Sequence, residues 1–220
     1  MNMNLSFAKK AVPLAAVVLM TSACKTADVY TAESFADYQT THKQVAVLPF
    51  DVTIGKKKMP EGATAESLRT AELEEGVVFQ KQLYSQFLKR WSKGEYTVKF
   101  QDVDQTNVLL RRANMTDESI KDFTKAEIGQ ALGVDAVISG NIKRDKPMST
   151  GAAVASTFLL GFGGATNSVN VNMTVHDSES GGLLWSYDHE VKGGLGSSAE
   201  GVSKSLMKGS SKKFPYKKEK

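Results

Sequence analysis

The chain holds one thiol, Cys24, and a cysteine without a partner in its own chain is a lone nucleophile rather than half of a cross-link. Its surroundings indicate how that nucleophile is used. Lys9 and Lys10 precede an apolar run from Ala11 to Met20 that is too short to span a bilayer, and Ser22-Ala23 supply the small residues a signal peptidase requires. Residues 1–23 therefore read as a secretory leader, with Cys24 exposed by its removal. Other groups capable of chemistry fail to assemble. His176 and His189 fall on opposite faces of an expected β-hairpin and His42 precedes the first expected strand, so no two histidines share a metal site and a zinc ion lacks ligands. Gly194-Leu195-Gly196-Ser197-Ser198-Ala199 matches the dinucleotide pattern, but the sequence given ends before the strand and acidic residue that would hold a ribose. Neither a Gly-x-Ser-x-Gly elbow nor a Walker loop occurs. Asp51, at the end of the first buried strand, is the one carboxylate where an α/β sheet would place a ligand group, with a turn or cap role as the alternative. No catalytic residue, metal or cofactor is assigned, and an enzyme is not expected.

The segment Leu14-Ala15-Ala16-Val17-Val18-Leu19-Met20-Thr21-Ser22-Ala23-Cys24 resembles a bacterial lipoprotein signal, with Thr21 where leucine is usual. The resemblance implies that Cys24 is diacylated through sulfur, becomes the mature N-terminus and anchors the protein to a membrane. Lys25 follows it, and the absence of aspartate there implies an outer-membrane lipoprotein facing the periplasm.

Without residues 1–23 the chain has 197 residues, enough for one domain with a substantial core. Charge is divided unevenly. Residues 24–202 carry 19 lysines and arginines against 23 acids, whereas residues 203–220 carry seven lysines against Glu219 alone. A nucleic-acid partner is not expected, because that basic end has no arginine, only Phe214 and Tyr216 as aromatics, and an export signal at the opposite end. Its lysines read as a solvated helix face and a basic tail over 211–220, or as a contact for anionic lipid.

Residues 24–43 show no sustained period and read as the lipidated N-terminus and a flexible tether. Gln44 to Asp51 is an unbroken apolar run halted by Pro49, which predicts a strand buried on both faces, followed by a loop from Ile54 to Gly62. From about Glu66 to Trp91 the spacing of Leu73, Val77, Tyr84, Phe87, Leu88 and Trp91, widened by Phe79 and Leu83, predicts one long helix. Tyr96–Gln101 is a short strand, Asp102 opens a helix from Val103 to Ala113, and Thr124 with Glu127 forms a capping box for a helix ending at Gly133. Val134–Ile142 is a third strand. Strand–helix alternation of this kind predicts parallel pairing. Val169, Val171, Met173 and Val175 then alternate with polar residues, as do Leu183, Trp185, Tyr187, His189 and Val191. Pairing Val175 with Leu183, Met173 with Trp185 and Val171 with Tyr187 places the apolar groups of both strands on one face. A last helix, capped by Ser197 and Glu200, carries Val202, Leu206 and Met207. The expected fold is a single three-layer α/β domain over residues 44–210, with a mixed sheet, parallel strands joined by helices, an antiparallel hairpin and a C-terminal helix.

The order of these elements, with VAVLPF at 45–50, IGQALGVDAVISGNI at 128–142 and VNVNMTVHDSESGGLLWSY at 169–187, resembles a group of bacterial envelope lipoproteins. The group includes the curli secretion protein CsgG, the peptidoglycan-synthase activator LpoB and domains like the N-terminal domain of TolB. The resemblance implies a periplasmic domain that binds envelope proteins or self-associates and is not catalytic; the alternative it raises is a ring-forming export subunit in the outer membrane. One stretch bears on the choice. An apolar, glycine-rich insertion occupies residues 149–166, with Val154, Phe158, Leu159, Leu160 and Phe162 as possible contacts for a partner or a membrane. As a helix, Gly151–Ala165 would reach about 22 Å, short of a bilayer core of about 30 Å. CsgG has a second membrane hairpin after the next strand pair, and here that position offers only Lys192–Gly196, far short of two strands of about 9 residues each. The alternative to an exposed contact is that the insertion folds over the domain's own core.

Overall fold

Pro49 sets the sheet's layout. Having no N–H to donate, it breaks a ladder, and the run predicted as one strand is split in the computed structural model, which describes residues 28–55, 64–116, 118–144, 168–192 and 199–218. The elements are β1 (Val29–Thr31), α1 (Phe35–Thr41), β2 (Gln44–Val47), β3 (Asp51–Ile54), α2 (Ala65–Trp91), β4 (Lys99–Phe100), α3 (Val103–Arg112), a 3-10 turn (Ser119–Asp122), α4 (Lys125–Leu132), β5 (Ala136–Arg144), β6 (Ser168–Asp177), β7 (Leu183–Lys192) and α5 (Ala199–Ser210). They form a mixed sheet in the order β1-β7-β6-β5-β2-β4, with β3 resuming beside β5 where β2 leaves off. The pairs β2–β4, β2–β5 and β3–β5 are parallel; β5–β6, β6–β7 and β7–β1 are antiparallel.

The three layers follow from strands buried on both faces. Val45 and Val47 point to one side of the sheet with Phe79, Leu83 and Phe87 of α2 and Val202, Leu206 and Met207 of α5. Ala46 and Leu48 point to the other, with Leu110 of α3 and Ile128 and Leu132 of α4. Local signals fix several boundaries. Thr124 and Glu127 close the capping box that begins α4, and Gly133, at φ +65°, ends it in the left-handed conformation that glycine adopts without strain. Asp102 accepts from the amides of Asp104 and Gln105 to start α3.

Four expectations are corrected. Residues 24–43 are not a tether throughout: β1 pairs with β7, and α1 lays Phe35 into the core. Residues 211–218 are not a free basic tail, because Phe214 and Tyr216 are buried, Phe214 within 5.1–5.8 Å of the rings of Phe87, Tyr96, Trp185 and Tyr216. α2 has the predicted length but a rotated seam, burying Leu68, Ala71, Glu75, Gly76, Phe79, Gln80, Leu83 and Phe87 while Trp91 stays 41% exposed. The hairpin register is displaced by two residues, to Val175–Trp185, Met173–Tyr187 and Val171–His189. An irregularity between Val175 and His176 absorbs Leu184, which is buried, and leaves Leu183 40% exposed. A shift of two preserves side-chain parity, so from Trp185 onward the core face is as expected although the partners are not, and Leu184 replaces Leu183 in the core.

Candidate functional site

The sheet's second face changes character partway across. Beneath α4 it is apolar, at Ala46 and Val137, but along β5 and β6 it presents Ser139, Asn172, Thr174 and His176. These polar residues floor a groove of about 840 Å³, inside the range of small-ligand sites, roughly 300–1,000 Å³. One wall comes from α2, with Leu73 and Val77; the facing wall comes from α3 and its following turns, with Val108, Met115 and Ile120. The segment Leu48–Asp51 closes one end, where β2 stops. Leu73 and Val77, expected in the core seam of α2, are half-buried groove residues instead.

Several contacts hold the groove's shape. Gln80, fully buried, donates to the Val47 carbonyl at 2.7 Å and exchanges two 3.0 Å hydrogen bonds with Asn107, tying α2 to both the sheet and α3. Gly140 gives the Phe50 ring room: a Cβ there would stand 2.1 Å from the Asn172 carbonyl oxygen and 2.5 Å from Cε1 of Phe50. Ser139 and Thr174 share a 3.1 Å hydroxyl contact.

The rim is charged and mostly self-paired. Asp51 lies on it, 3.3 Å from Lys121 and 3.9 Å from Arg69, and those cations also meet Glu118, with Arg69 reaching Glu72 at 3.2 Å. Asp51 is thus a strut between the start of α2 and the 3-10 turn. Deeper in, burial and the nearby Lys125 charge push the His176 imidazole down to about 4, leaving it neutral at neutral pH, and its buried Nδ1 has no hydrogen-bond partner among the described residues. Burial also lowers the pKa of Lys125, which has no ion-pair partner among the described residues.

The other histidines lie elsewhere. His189 stacks on Tyr187 and bonds Ser205 of α5 at 2.9 Å, on the sheet face opposite His176. His42, buried, sits 2.6 Å from the Tyr216 hydroxyl and 3.2 Å from Oδ1 of Asp177. Among the described residues no three or more His, Cys, Asp or Glu gather as a metal site, and no helix is long and apolar enough to cross a membrane. Cys24, Gly194–Ser198 and the possible contacts Val154, Phe158, Leu159, Leu160 and Phe162 lie outside the described residues. Sequence reasoning missed Lys125, His176 and the groove. The uncharged row Asn170, Asn172, Thr174 and His176 was the available signal, since it marks a face that α-helical layers leave partly uncovered.

No protein-family model matches the sequence, and no curated protein matches it. Solved structures do. The lipoprotein GNA1162 from Neisseria meningitidis is similar at 14% identity over 78% of this chain and 95% of its own, with a TM-score of 0.42. A PelC dodecamer from Paraburkholderia phytofirmans follows at 16% identity over 89% and 99%, TM-score 0.39. The LpoB C-terminal domain from Salmonella enterica is similar at 12% identity over 68% and 82%, TM-score 0.32. The group named from the sequence is thus represented among similar folds. At these identities and scores the likeness is one of chain path and carries nothing about activity.

Proposed function

We propose that this chain is a lipid-anchored cell-envelope protein whose α/β domain works by binding, without catalysing a reaction. Acyl groups on Cys24 hold it at the periplasmic face of the outer membrane, and its partners are envelope proteins or further copies of itself. The supporting observations are the leader that ends in Ser22-Ala23-Cys24 and, on the sheet, a Ser139 hydroxyl engaged by Thr174 rather than by a base. Mass spectrometry of the protein purified from its native membrane tests the anchor. The expected N-terminus is acylated Cys24, and Cys24→Ser releases the chain to the soluble fraction; an unmodified thiol or a retained Met1 contradicts the reading. Crosslinking in intact cells tests the binding role. Recovery of a defined envelope partner or a homo-oligomer supports it, and recovery of monomer alone counts against it. Stable rings in electron micrographs, lost on deleting residues 151–164, would favour the ring-forming export subunit instead.

A further inference from the structure

The groove's charges do not balance. Arg69 and Lys121 are matched by Asp51, Glu72 and Glu118, and Lys81 stands 3.8 Å from Asp104. Two lining cations, Lys125 and Arg111, have no counter-ion among the described residues; Arg111 is exposed at the rim, whereas Lys125 is half-buried and faces the recess. Near enough to feel its charge is His176, whose buried Nδ1 likewise has no partner among the described residues. A half-buried cation without a counter-ion costs free energy unless something satisfies it. Beside them run the apolar walls of Leu73, Val77, Val108 and Ile120.

We propose that the groove is a binding site for a small amphipathic organic anion, its carboxylate or phosphate head at Lys125 and His176 and its apolar body against the α2 and α3 walls. Charge complementarity selects the head, since the unmet charge is positive. A volume of about 840 Å³ suits a small molecule rather than a folded partner. His176, neutral at neutral pH, adds no second charge beside the head and leaves Lys125 to supply the charge. This goes beyond anchoring and protein binding, and its failure leaves both untouched.

The test uses the acylated full chain in zwitterionic nanodiscs, titrated calorimetrically with 4-phenylbutyrate, with the matched cation 4-phenylbutylamine and with butyrate, against empty discs. The expected result is saturable binding of phenylbutyrate with a Kd of about 1 mM or tighter, and binding about tenfold weaker or absent for the other two. Lys125→Met is expected to weaken phenylbutyrate about tenfold and Lys125→Arg to retain it. A second measurement needs no variant. Phenylbutyrate should slow chemical acetylation of Lys125, read by mass spectrometry, while the rim residue Lys81 reacts as before. Absence of binding, equal affinity for anion and amine, full affinity in a folded Lys125→Met protein, or unchanged Lys125 labelling would each overturn the proposal.

Discussion

The Nδ1 atom of His42 lies 2.6 Å from the Tyr216 hydroxyl, joining the residue that caps α1 to one beyond α5. On the ring's other side, Nε2 is 3.2 Å from Asp177, whose carboxyl stays below the usual range; burial raises it, but hydrogen bonds from Ser180 and His42 prevail. An ionised carboxylate only accepts, so Nε2 carries the hydrogen, and in the neutral ring Tyr216 donates to Nδ1. Burial, with the Asp177 and Asp135 charges, raises the tyrosine's pKa and keeps that proton in place. The network fastens the end of α1 and the segment after α5 to the β6–β7 turn.

Tyr216→Phe therefore leaves a buried ring nitrogen unmet and should cost about 1–3 kcal/mol in urea unfolding. Truncation after Ser210, which also removes the Phe214 ring, should cost more, about 3 kcal/mol or above. Equal stability of the truncated and full chains would show that residues 211–218 do not belong to the folded unit.

Gln80→Ala deprives the Val47 carbonyl and the Asn107 amide of partners at one point under the groove. The expected loss is about 1–3 kcal/mol. Lys81→Ala, at the neighbouring exposed position, should stay within about 0.5 kcal/mol. Denaturation midpoints of the two variants make the comparison.

Gly140→Ala drives a methyl into the Asn172 carbonyl and the Phe50 ring. A shift of strand or ring is unavoidable, and the destabilisation should be about 1–3 kcal/mol. Gly76→Ala should behave alike, because its Cβ would meet the Phe50 carbonyl oxygen at 2.2 Å. A thermal melt unchanged in both would contradict the packing described.

Acidification gives a fourth expectation. His176 is held at about 4 in the folded chain against 6.5 for the free side chain, so between those values the unfolded state binds the proton and the folded state does not. Stability should fall as pH drops from 6.5 toward 4, by about 1 kcal/mol once solvent screening of a half-buried ring is allowed for. His176→Gln should flatten part of that slope. Burial lowers His189 as well, so a remainder of the same sign persists. An identical pH profile in the variant would remove His176 as its source.

What could be read from the sequence was local or strictly periodic. The Thr124–Glu127 capping box, the Gly133 stop and the doubly buried run Val45–Leu48 each state their structure within a few residues. The seam of α2 does not. Gln80 and Glu75 are buried by partners far along the chain, the Val47 carbonyl and Arg144, so polar residues took positions that periodicity gave to Leu73 and Val77. Phe35 lies in a helix of seven residues, too short for a repeat, and Phe214 and Tyr216 are hidden among lysines. The groove's one sequence signal is the uncharged row Asn170, Asn172, Thr174 and His176, and it says nothing of Lys125. Lys125 and His176 are 51 positions apart, and only the packing of α4 over β6 brings them together.

β1 hydrogen-bonds along β7, and just before it the Asp28 carbonyl accepts from the amide of Asp188. Under the acylation proposed for Cys24, four residue steps would separate the lipid from that first fastened carbonyl, a reach of at most about 14 Å. A twenty-residue leash would let the body roam tens of ångströms from the anchor; one this short would moor it against the bilayer surface. Any partner of the anchored protein would then have to come down to the headgroups to be met, or be resident there already.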